Sequence, residues 1–153
     1  MYQITLLLHS YTRWIVLFVS IYTLFIVWRG FLQKREWDKT ESFASRIFAW
    51  VFTLQFILGA ILFFIPDGLA QTAIQIMGQD FSSAMKTRDL RFFGMEHPLQ
   101  MTIAMLVVHL GSSRARKVTP SSKQFRWAVI CFTLGLLLIL AGIPWWRPLL
   151  RVF

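Results

Sequence analysis

A chain of 153 residues that is 56% hydrophobic, 16% aromatic and only 15% charged cannot give several long apolar helices a wet face. Soluble domains carry about 25% charged residues, so the composition excludes an ordinary soluble helical protein. The formal charge of +9 is gathered between the apolar segments and reads as membrane topology rather than nucleic-acid binding. The single cysteine, Cys131, excludes an intrachain disulfide or a cysteine-built metal cluster.

The first apolar segment runs over residues 4–28. Its MYQIT start has no basic stretch, it contains Arg13, and it lacks a small-residue cleavage site, so it is expected to remain as a helix. His9 and Arg13 are one turn apart and share a face. Arg13 either snorkels to the headgroups beside Trp14 or marks a site, because an ionisable residue inside a span is costly. A basic stretch follows, with Arg29, Lys34, Arg35, Lys39 and Arg46 set against Glu36, Asp38 and Glu41.

The second segment, 46–65, carries Phe48, Phe52, Phe56 and Phe63, with Gln55 its one strongly polar interior residue. Gly59 and Ala60 permit close helix approach. Pro66, Asp67 and Gly68 form a stop and turn. Residues 66–96 then form an outer loop too long to be comfortable without structure. Within it LAQTAIQIMG is partly amphipathic and suits a surface position, while KTRDLRFF either packs over the end of the bundle or stays mobile.

The third segment, 97–113, opens with Glu96, His97 and Pro98 at its boundary, and a proline in the first turn is harmless to a helix. His109 lies about 18 Å beyond His97 along the axis, too far for the two to share an ordinary metal ion. The fourth segment, 127–145, has Gly135 and Gly142 for close packing and Pro144, Trp145 and Trp146 at the interface. Arg147 and Arg151 follow on a short tail expected to lie across the surface.

Five Lys and Arg residues lie between the first two segments and five more, Arg114, Arg116, Lys117, Lys123 and Arg126, between the last two. Lys86, Arg88, Arg91, Arg13, Arg147 and Arg151 belong to the opposite side. The bias predicts an all-α integral membrane four-helix bundle, one domain over 1–153, multi-pass in a bacterial inner (plasma) membrane, with both termini and the 66–96 loop outward.

In that topology His9 and His97 enter the bilayer at similar depth on parallel helices. Facing helices commonly hold a cofactor between them, and two imidazoles suit the axial positions of a b-type haem. Arg13, Arg88, Arg91 and Arg147 lie on the same side, where they could neutralise propionates. Two other readings stand beside this one. His9, His97 and Glu96 could hold zinc, copper or iron in a non-haem metal-binding protein or enzyme. Alternatively the histidines are satisfied by water, headgroups or Glu96, and the chain is a non-catalytic membrane scaffold subunit whose charged outer segment docks a partner.

The pieces LLLHSYTRW, RFFGMEHPLQM and AGIPWW, in this order and spacing, resemble a family of small four-helix membrane proteins of Bacteroidota, many of them labelled cytochrome B. The resemblance extends over nearly the whole chain. It implies a membrane b-type cytochrome-like electron-transfer protein with haem b held by His9 and His97, Arg13 and Glu96 beside them, and His109 in a setting similar to the family pattern. Segments two and four contain no histidine, so at most one bis-histidine haem is available per chain. A quinol and an outer-side redox protein are the partners that this label and a membrane location imply, and no nucleic acid is expected.

Overall fold

The computed structural model describes residues 1–66 and 68–149. Asp67 of the expected turn and Arg151 of the tail lie outside them. All regular structure among the described residues is helical.

Helix α1 (Tyr2–Leu32) is longer than the 4–28 expected. Helix α2 (Lys39–Phe64) starts seven residues before the predicted 46 because Asp38 and Glu41 form a capping box. The Asp38 carboxylate accepts from the Thr40 amide at 2.7 Å, and Glu41 Oε2 accepts from the Asp38 amide at 3.3 Å. These contacts occupy backbone donors that a helix start would otherwise leave bare.

The expected outer loop is helical. It contains α3 (Leu69–Gln79), α4 (Phe81–Lys86) and the single turn α5 (Arg88–Arg91). Asp80 separates α3 from α4, its side chain accepting from the Ser83 amide and hydroxyl at 3.0 and 2.5 Å. From α5 the chain runs without a break through a π-helical turn, Phe92–Glu96, into α6 (His97–Lys117). In the KTRDLRFF stretch Lys86 ends α4, Thr87 caps α5, and the rest opens the longer helix that packs over the end of the bundle against Trp146. Helix α7 (Ser121–Ala141) follows Pro120 and stops at Gly142, short of the predicted 145.

The plain four-helix spanning bundle is corrected by these elements. Among the described residues, α1, α2 and α7 alone are long and apolar enough to cross a membrane, with mean hydropathy of 2.1, 2.3 and 1.9 over their best windows. Helix α6 falls short because His97, Gln100, Thr102 and His109 interrupt its apolar run and Arg114, Arg116 and Lys117 fill its last turn. It packs between α2 and α7, while α1 packs on the other sides of the same two helices. Helices α3 to α5 cover the end of this arrangement that carries His9 and His97.

Small residues bring the helices close where lipid supplies no hydrophobic drive for association. A Cβ on Gly111 would fall 2.4 Å from Cys131 Cβ, and one on Gly30 would fall 2.4 Å from Phe125 Cε1. Ala104, Val108, Ala115, Ala128 and Phe132 are fully buried along the same seams. Polar ties also join the helices, such as Ser112 Oγ to the Ser45 carbonyl at 3.1 Å and Trp28 Nε1 to Thr133 Oγ1 at 3.1 Å. Outward lie Phe18, Phe25, Trp50, Leu106, Ile130 and Leu137, an apolar surface that suits acyl chains.

Candidate functional site

A cavity of about 430 Å³ opens at the histidine end, between the first turns of α1 and α6 and the last turns of α2 and α7. This lies within the 300–1,000 Å³ usual for small-molecule sites. Val16, Phe52 and Ile139 lie at its deeper, buried side. Leu6, Phe56, Phe63 and Met101 give it apolar walls. Its polar lining includes His9, Ser10, Arg13, Gln55, His97 and Arg147.

His9 and His97 meet edge to face, with ring centroids 6.4 Å apart and planes at 81°. Each ring is fixed by a different helix. His97 Nδ1 lies 2.8 Å from the Gly142 carbonyl, which is free because α7 ends there. A carbonyl can only accept, so Nδ1 carries the hydrogen, and in the neutral ring Nε2 is left as an acceptor. Among the described residues that Nε2 has no hydrogen-bond partner, and His97 lines the cavity.

His9 is held from α2. Gln55 Nε2 donates to the His9 carbonyl at 3.0 Å and lies 3.4 Å from His9 Nε2, while the Thr12 hydroxyl donates to Gln55 Oε1. The amide thus presents its hydrogens to His9 and makes Nε2 the acceptor. The opposite nitrogen, Nδ1, is buried without a partner. It faces the bare backbone of Gly59, where an added Cβ would stand 3.1 Å from His9 Cε1. Gln55 was visible in the sequence as the one polar break in the second segment, but nothing there tied it to His9.

The four arginines separate into two pairs. Arg13 and Arg147 line the cavity; Arg13 donates to the Leu149 carbonyl, and Arg147 lies 5.2 Å from the centre of the Phe93 ring. Arg88 and Arg91 do not line it. Arg88 lies over Trp146, and Arg91 donates to Glu96 Oε1 and to the Met85 carbonyl, both at 2.7 Å. Both are committed to holding the short helices in place. His109 is outside the site as well, exposed on α6 with Nε2 2.9 Å from Thr53 Oγ1.

This arrangement overturns the haem reading and its electron-transfer function. Among the described residues no group of three or more His, Cys, Asp or Glu side chains converges to coordinate haem or a metal ion. His9 Nε2 is turned to the Gln55 amide rather than left open as a ligand, and two of the four arginines assigned to propionates are occupied elsewhere. The non-haem metal site through His9, His97 and Glu96 goes the same way. Glu96 is paired with Arg91 and is not part of the cavity lining.

The three long apolar helices are those of a membrane-embedded protein. No family model, curated protein or solved structure matches the chain.

Proposed function

We propose that the chain is a non-catalytic membrane subunit whose cavity at the histidine end binds an amphipathic small molecule of the bilayer. The observation that supports this is the cavity of about 430 Å³, whose apolar walls converge on His9, Gln55, His97 and two arginines. Concave, mostly apolar sites with a few convergent polar groups are where proteins hold small ligands. The three sequence pieces that resemble the Bacteroidota family all reach this cavity. LLLHSYTRW brings His9 and Arg13, RFFGMEHPLQM brings His97, and AGIPWW brings the Gly142 carbonyl.

The proposed setting is a multi-pass protein of a bacterial plasma membrane. The ends of α1, α6 and α7 remote from the cavity, with the start of α2, carry ten Lys and Arg residues, and they face the cytoplasm in this reading. The cavity then lies in the opposite leaflet.

Purification in a mild detergent, followed by solvent extraction and mass spectrometry, tests the binding role. The expected result is one lipophilic species at near-equimolar amount, lost when Ala60→Trp fills the cavity. Equal lipid profiles from the folded wild type and the folded variant would refute it.

A further inference from the structure

We infer that the ligand of this cavity is a long-chain carboxylic acid, its headgroup seated beside Phe93 between His97 and Arg147. The inference rests on the binding role proposed above and adds the chemistry of the headgroup.

Two groups on the cavity wall that have no side-chain hydrogen-bond partner there among the described residues define that chemistry. His97 has given its Nδ1 hydrogen to Gly142, so Nε2 offers only a lone pair to the cavity. Arg147 offers only donors and a positive charge. Among the described residues its guanidinium meets the face of Phe93 and has no hydrogen-bond partner. Phe93 also lies against His97, with ring centroids 6.4 Å apart, so the acceptor and the cation both lie beside one ring of the cavity wall. A headgroup placed there must donate one hydrogen and accept at least one.

A carboxylic acid meets both demands. One oxygen shares the acid's proton with His97 Nε2, and the other accepts from the Arg147 guanidinium, whose charge favours passing that proton to the imidazole. An ester lacks the hydrogen for His97. An alcohol can donate to His97 and accept from Arg147, but it brings no negative charge to pair with the guanidinium. A quaternary ammonium repels Arg147. The described lining residues include no Asp or Glu that would oppose an acid. Below the headgroup the walls are Leu6, Phe63 and Met101, leading to Val16, Phe52 and Ile139, a slot that suits an alkyl chain.

The test is displacement of dansyl-undecanoic acid from the detergent-solubilised protein. The competitors are decanoic acid, decanol, methyl decanoate and decyltrimethylammonium, with Ala60→Trp as the blocked-cavity control. Decanoic acid is expected to compete at least about tenfold better than the ester, the size of one lost charge-assisted hydrogen bond. Arg147→Gln should abolish the preference for acid over alcohol. It lies outside the helices, so folding should survive the change. His97→Leu should narrow the gap between acid and ester. Equal competition by acid, alcohol and ester would overturn the carboxylic acid while leaving an apolar ligand in place. Probe binding no greater than in Ala60→Trp would overturn the cavity as a binding site, and this inference with it.

Discussion

The Arg88 guanidinium lies 3.6 Å from the centre of the Trp146 ring, joining the turn before the π-helical stretch to the segment after α7. Trp146 extends the link by donating its indole N–H to Asp89 at 2.9 Å, and its ring packs edge-on against Phe92 at 4.7 Å. One side chain thus fixes the covering helices to the end of the last span.

Trp146→Ala should release that cover. A cation–π contact is worth about 0.5–2 kcal/mol and a hydrogen bond about 1 kcal/mol. Amide exchange over residues 81–96 should accelerate several-fold, while the middle of α7 stays protected. Unchanged exchange in 81–96 would mean that other contacts hold the cover.

Two glycine-to-alanine changes should have opposite signs. At Gly30 the new methyl would meet the buried Phe125 ring at 2.4 Å, so overpacking of about 1–3 kcal/mol outweighs the gain in helix propensity and Tm falls. At Gly78 nothing lies within 4 Å, and the alanine should add up to about 1 kcal/mol to α3. Thermal unfolding in one detergent checks both.

Gln55→Leu should free the His9 ring. It removes the donor to His9 Nε2, at a cost of about 1–3 kcal/mol for the group left unpaired, while the Thr12 hydroxyl keeps the Leu8 carbonyl at 2.8 Å. Nitrogen NMR of labelled histidine should show the His9 signals shifting and the His97 pair, held by Gly142, staying put. Movement of both pairs together would show that the rings are coupled.

Acid should loosen the start of α4. Hydrogen bonds from the Ser83 hydroxyl and amide hold the Asp80 carboxyl below its ordinary value of 3.8. A depressed carboxylate adds stability that is present above the ordinary value and lost as pH falls through the depressed one. Exchange of the Ser83 amide should therefore rise relative to the α7 amides only below pH 3.8. Asp80→Asn should keep the cap and flatten that pH response.

The apolar runs made α1, α2 and α7 legible because a bilayer demands long uninterrupted hydrophobic stretches. Their ends were less so. The capping box at Asp38 and Glu41 could be read locally, yet the charges around it suggested a loop. Helix α6 looked like a fourth span because its central residues are apolar, while its polar and basic ends decide otherwise. At the site, helical spacing placed His9 beside Arg13, and topology placed His9 level with His97. The partners that orient the rings come from α2 and from a backbone carbonyl, and a carbonyl has no signature in sequence. Arg88 and Arg91 show the same limit, because charge and leaflet suggested haem propionates and tertiary packing took them to Trp146 and Glu96.

The π-helical turn at Phe92–Glu96 holds one residue more than an α-helix of the same rise would need. Removing one residue there would let the ladder close with ordinary spacing and turn everything before it by about 100° relative to α6. His97 would keep its place over Gly142, but Arg88 would swing away from Trp146 and the covering helices would lose their register. The extra residue acts as a spacer between two rotational settings of one rod, so chain length in this stretch governs how the cover is aimed. A one-residue deletion here should do more harm than any single substitution among the same five positions.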